Sequence, residues 1–141
     1  ARLIGIQAHD WADLKILKAN NLKIQGAVTY EELFSLVGRG RADYFPRSVV
    51  EVMSEQPYID KYDLAIEENI LLKYPASMYF FVNKNNLELA KDLEIGLQRA
   101  LEDGSYDLLF DSIHEMQLSE LNLEKRKVIE LQNPYFPENM Q

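Results

Sequence analysis

The stretch Gly38-Arg39-Gly40-Arg41-Ala42-Asp43-Tyr44-Phe45-Pro46-Arg47-Ser48 decides how the chain folds. Ahead of it, residues 29–37 read as an amphipathic helix with Leu33, Phe34, Leu36 and Val37 on its apolar face. Thr29 is its N-cap, with Glu32 at the capping-box position three residues on. The two glycines end the helix, because glycine takes the left-handed backbone of a C-cap at little cost. Residues 42–45 then read as a short aromatic strand. Pro46 stops it, having no N–H to give to a ladder. The run 49–53 reads as the next helix. Tyr44, Arg47 and Ser48 thus lie where a strand hands over to a helix, and open α/β sheets bind ligands at such carboxyl ends.

Toward the N-terminus, residues 2–7 form an apolar run of strand length that ends in Ala8-His9-Asp10. Asp10 is a good N-cap, and Trp11, Leu14 and Leu17 recur at helical spacing, predicting a helix over 10–20. Asn20-Asn21 turns the chain into a second strand, 22–28. Strand and helix alternate three times, which predicts an α/β fold: an open, mostly parallel sheet with flanking helices and right-handed crossovers. The loops at His9-Asp10, Thr29-Tyr30 and Arg47-Ser48 then open on one edge. Helix N-termini point there too and favour an anion.

Toward the C-terminus the punctuation is coarser. Pro57 breaks the third helix and 58–63 reads as a loop. Residues 70–72 are strand-like, and 77–83 (Ser-Met-Tyr-Phe-Phe-Val-Asn) carry the strongest strand signal in the chain. A helix follows with Leu89, Leu93, Leu97, Ala100 and Leu101 on one face. Asp103-Gly104-Ser105 interrupts it, and a second helix carries Tyr106, Leu109, Phe110 and Ile113. After His114 the pattern loosens. Residues 115–141 read as an extended tail with one short strand near 127–131.

The totals narrow the function. The 141 residues suit one domain of ordinary size, and 47% hydrophobic with 27% charged is a globular composition. A net charge of −8 argues against nucleic acid as partner, although a local arginine still attracts an anion. With no cysteine there is neither a disulfide framework nor a thiolate metal site. The two histidines, His9 and His114, lie far apart in the chain, so a metal site has little support. No phosphate loop, dinucleotide glycine signature or Gly-x-Ser-x-Gly elbow is present. Adjacent His9 and Asp10 do not make a nucleophile–base pair. The expectation is a non-enzyme without a cofactor. No apolar run approaches the roughly 18 residues of a membrane span.

Four elements together resemble a known family. They are the strand entry Leu3-Ile4-Gly5-Ile6-Gln7, the element Gly40-Arg41-Ala42-Asp43, the run Tyr79-Phe80-Phe81-Val82-Asn83-Lys84, and the helix junction Leu101-Glu102-Asp103-Gly104-Ser105-Tyr106. In order and spacing over residues 2–114 they resemble the type 2 periplasmic binding proteins, specifically the bacterial extracellular solute-binding proteins of family 3. The segments 43–47 and 126–134 look like an uncharacterised subgroup of these. The resemblance implies two lobes closing on a ligand. Residues 1–75 would be lobe 2, residues 76–114 a return strand and C-terminal helices of lobe 1, and the rest of lobe 1 would lie outside a chain that opens directly on a strand. It further implies a periplasmic protein that captures a small polar ligand, anionic or amino-acid-like, for a membrane permease. The alternatives are a module that reports ligand state to a sensor partner and, more remotely, a periplasmic dehydratase-like enzyme. Helices without their sheet would expose apolar faces and favour self-association.

The resemblance also implies site residues. The loop after the first lobe 2 strand corresponds to Ala8-His9-Asp10-Trp11 and departs from the family's Gly-Thr pattern. Ser48 stands where the family has an aspartate for the ligand's ammonium group. Arg47 would orient an anionic group, Thr29, Tyr30, Tyr44 and Ser48 would offer hydroxyls, and His9, Asp10 and Trp11 would form the rim. Each has a structural alternative: Arg47 in an ion pair, Ser48 as an N-cap, Trp11 in the core, Asp43 as a brace on the strand.

Overall fold

The computed structural model describes residues 3–137. They form two compact units, one from residues 3–76 with 121–137 and the other from 77–120. The first is α/β. Its strands β1 (Gly5–Ala8) and β2 (Ile24–Ala27) pair in parallel, joined by helix α1 (Ala12–Ala19). Helix α2 (Tyr30–Gly38) follows, and the chain then returns along the other side of β1. There the predicted aromatic strand contracts to a single bridge, Tyr44 to Gly5. Asp43 braces it: its N–H donates to the Ile4 carbonyl at 2.7 Å and its Oδ2 accepts from the Ile4 N–H at 2.7 Å. Arg2, where the first strand was expected to begin, lies outside the described residues.

Sheet pleating sends alternate residues to opposite faces. Ile6 and Ala8 join Ala27, Leu33, Phe34 and Ala42 in the core beneath α2. Leu14 and Leu17 of α1 cover Ile24 on the other face, with Tyr44, Leu72, Tyr74 and Leu131 packed against them. Leu72 belongs to, and Tyr74 and Leu131 directly follow, the strands of a second parallel pair, β3 (Ile70–Lys73) with β4 (Lys127–Glu130). Asn20 ties the end of α1 to the segment after β4: its Nδ2 donates to Gln132 O at 2.7 Å, and Gln132 N–H donates back to its Oδ1 at 2.9 Å.

The second unit lies in sequence between β3 and β4. It contains two 16-residue helices, α4 (Leu87–Glu102) and α5 (Ser105–Glu120), joined through Gly104 at φ +77°.

Several expectations need correction. Asp10 does not cap α1; Trp11 occupies the N-cap position and makes no side-chain cap bond. The third helix begins later than expected, as a 3₁₀ turn (Val52–Glu55) leading into α3 (Gln56–Lys61). Pro57 therefore opens a helix rather than breaking one, since a first-turn residue needs no N–H bond. Residues 77–83 join neither sheet. Their side chains suit a strand, but a strand also needs a neighbour, and Met78 and Phe81 stand 99% and 95% exposed. The tail 115–141 is not extended: α5 runs on to Glu120, Leu121 is buried, and β4 follows. Residues 138–141 of that tail lie outside the described residues.

Candidate functional site

The carboxyl ends of β1 and β2 and the strap after Tyr44 carry most of the candidate residues. Arg47 leaves the strap and lies against three aromatic rings. Its guanidinium carbon is 4.9 Å from the centre of Trp11, 5.3 Å from Phe45 and 6.0 Å from Tyr30. Such rings attract a cation through their negative faces. They belong to a wider cluster: Phe34 stacks on Tyr58 at 4.7 Å and meets Phe45 edge-on at 5.3 Å. Local sequence explains the arrangement, because Trp11, Tyr30 and Phe45 each stand at or next to the end of a strand or helix.

The charge of Arg47 is answered within the protein. Its Nε donates to both carboxylate oxygens of Glu55, at 2.7 and 3.0 Å, and Nη2 lies 2.6 Å from Glu55 Oε1. Nη2 also meets Glu51 Oε2 at 3.2 Å. Tyr30 Oη donates to Glu55 Oε1 in a short bond. Glu55 is buried, whereas the Glu51 side chain is 51% exposed. Burial first, then the bond to Glu55 and its charge, push the Tyr30 phenol up to about 12. Burial works against the charge of Arg47, but the Glu55 hydrogen bond and the charges of Glu55 and Glu51 outweigh it and raise its pKa. The cluster sets one cation against two carboxylates. It suits a ligand carrying both signs of charge better than the simple anion that helix N-termini alone would favour at this edge.

Arg47, Trp11 and Tyr30 therefore meet. His9 lies beside them in sequence order at the end of β1, its Nδ1 donating to the Ala27 carbonyl at 3.1 Å, and Asp10 is exposed on the same loop. Thr29 uses its hydroxyl as the N-cap of α2, accepting from Glu32 N–H at 3.3 Å. Ser48 is exposed and starts the next turn, its Oγ accepting from Val50 N–H at 3.4 Å. Tyr44 is set apart. A Cβ added at Gly5 would come within 2.7 Å of its ring, so the ring lies over the start of β1 and not its carboxyl end.

Glu55 and Glu51 were missed in the sequence, though they stand eight and four residues after Arg47. Gln7 was missed as well. It is buried at the end of β1, its Nε2 donating to Pro46 O at 3.1 Å while its Oε1 has no partner. An amide within an otherwise apolar strand was the available signal.

A depression of about 660 Å³ opens at the carboxyl ends of β3 and β4, lined by Pro75 and residues of the 130–136 stretch. None of the predicted site residues lines it. Among the described residues there is no group of histidine and carboxylate side chains that could hold a metal, and no helix is long and apolar enough to cross a membrane. Comparison with family models, with curated proteins and with solved structures finds no match to this chain.

Proposed function

We propose that this chain is the ligand-holding part of a solute-binding protein that takes a small amino-acid-like solute at the carboxyl edge of β1 and β2. The observation that carries the reading is the Arg47 cluster, where a guanidinium, two carboxylates and three aromatic rings converge. A zwitterion matches it group by group. Its carboxylate would replace Glu51, the exposed contact at 3.2 Å, in a charge-assisted bond to Arg47. Its ammonium would then take up the released Glu51, and Trp11 and Tyr30 would wall the side chain. Glu55 stays in place, holding the guanidinium in orientation. Delivery to a membrane permease, from a periplasmic location, completes the proposal.

Trp11 is the chain's only tryptophan, so its fluorescence reports on this cluster alone. Titration with a panel of amino acids, organic acids and short peptides should give a saturable change with a zwitterion and none with a dicarboxylate. The change should vanish in Arg47→Ala. If no member of the panel moves Trp11 or the melting temperature, the reading fails. A second reading, as an interaction module, draws on the exposed helices of the other unit.

A further inference from the structure

The 77–120 unit leaves its apolar surface uncovered. Of the 21 exposed large hydrophobic residues among those described, 14 fall in this unit, and neither of its helices has a buried residue. On α4, Leu89, Leu97 and Leu101 share the stripe that helical periodicity aligns and are 44%, 39% and 58% exposed. On α5, Leu109, Ile113 and Met116 do the same at 61%, 55% and 75%. Two amphipathic helices with nothing over them present a docking face.

Charge says what kind of surface covers it. The unit carries nine carboxylates against three lysines and arginines, net −6 of the chain's −8. On α5, Asp107, Asp111 and Glu115 follow one another at four-residue spacing on the side of the helix away from Leu109, Ile113 and Met116, with no basic residue in the helix's last turn. Like charges so spaced repel one another and weaken the helix. On α4, Asp92 and Glu94 fall at the two borders of the apolar stripe by the same periodicity. A second copy would bring −6 against −6, and anionic membranes and nucleic acid are repelled as well.

We propose that the α4–α5 hairpin docks a basic amphipathic protein surface, with leucine-like residues against its stripe and lysine or arginine against Asp92 and Glu94 at the stripe's borders. The proposal does not depend on the solute at Arg47. In such a complex the partner's cations meet Asp92 and Glu94 at the borders of the α4 stripe and set the register.

The test uses the full 141-residue chain and two model peptides of about five helical turns, one leucine–lysine and one leucine–glutamate. The lysine peptide should bind, with affinity falling about tenfold between roughly 50 and 500 mM salt. The glutamate peptide should not bind. Leu97→Gln with Leu109→Gln keeps every charge and should weaken lysine-peptide binding about tenfold, which mere attraction to an acidic protein would not do. Asp92→Asn with Glu94→Gln should flatten the salt dependence. Equal binding of both peptides, no loss in the Leu97/Leu109 variant, or no binding at all would overturn the proposal. So would a stable dimer in light scattering that the Leu97/Leu109 variant dissolves, since the occupant would then be a second copy.

Discussion

Arg47 shows how far a single residue can be read from sequence. Its place at the end of the strap was legible, because Gly40 and Pro46 bracket the segment and leave few ways to run it. Its partner was not. Glu55 reaches Arg47 only because a 3₁₀ turn replaces the regular helix expected over 49–53, and no periodicity encodes that exchange. Removing Arg47 leaves a buried carboxylate unanswered, so Arg47→Ala should cost about 3–5 kcal/mol in urea denaturation. Arg47→Met combined with Glu55→Leu should recover most of the loss, because it removes the stranded charge along with its partner. Tyr30 gives the same cluster a pH signature. Its folded-state value is raised from 10.0 to about 12, so the neutral phenol is favoured by folding. That stability is fully present below pH 10 and is lost as pH rises through about 12. Absorbance titration should find late-ionising tyrosines, and Tyr30→Phe should remove one of them while Tyr74, raised by burial and then by its hydrogen bond to Asp13, remains. The glycines of the opening stretch separate cleanly. Gly40 has φ +66° and open space around it, so Gly40→Ala costs only backbone strain, about 1 kcal/mol. A Cβ at Gly38 would come within 2.6 Å of the Tyr62 carbonyl, and Gly38→Ala should cost about 2 kcal/mol in the same denaturation series.

At the level of elements, helices and caps were the readable part. Thr29 caps α2 as its spacing with Glu32 predicts, and Glu32 closes the box one residue early, on the Val28 N–H at 3.0 Å. The run 77–83 was misread for a reason that sequence patterns share. Composition shows what a segment suits, while a strand is a relation between two segments. Pro57 was misread because its effect depends on whether it falls in the first turn or inside a helix. The closing strand β4 was legible as a strand, but its clamp to α1 was not, since Asn20 and Gln132 are 112 residues apart. Asn20→Ala breaks both bonds of that clamp and should cost about 1–3 kcal/mol, read as a lower denaturation midpoint. Asp111→Lys turns two repulsive i,i+4 pairs on α5 into attractive ones. It should raise helicity in circular dichroism, worth about 0.5–1 kcal/mol.

Across the whole molecule the two units rest on different physics. The α/β unit has two apolar cores, whereas the helical unit has none of its own. Urea should therefore reduce far-UV ellipticity before it changes Trp11 fluorescence, because Trp11 belongs to the unit with the cores. Coincident transitions would mean that the helices draw their stability from the rest of the chain. The parallel pairing of β3 with β4 bears on the order of assembly. The first sheet joins segments close in sequence, but β4 must wait for the 53 residues between Lys73 and Lys127 to be made and gathered in. Contacts that close so long a loop form late. On a chain emerging from the ribosome, the βαβ unit around Arg47 can take shape while the surface that β3 and Tyr74 share with Leu131 is still bare. For that interval the early-folded half carries an open seam, and β4, made 53 residues after β3, is the strand that seals it.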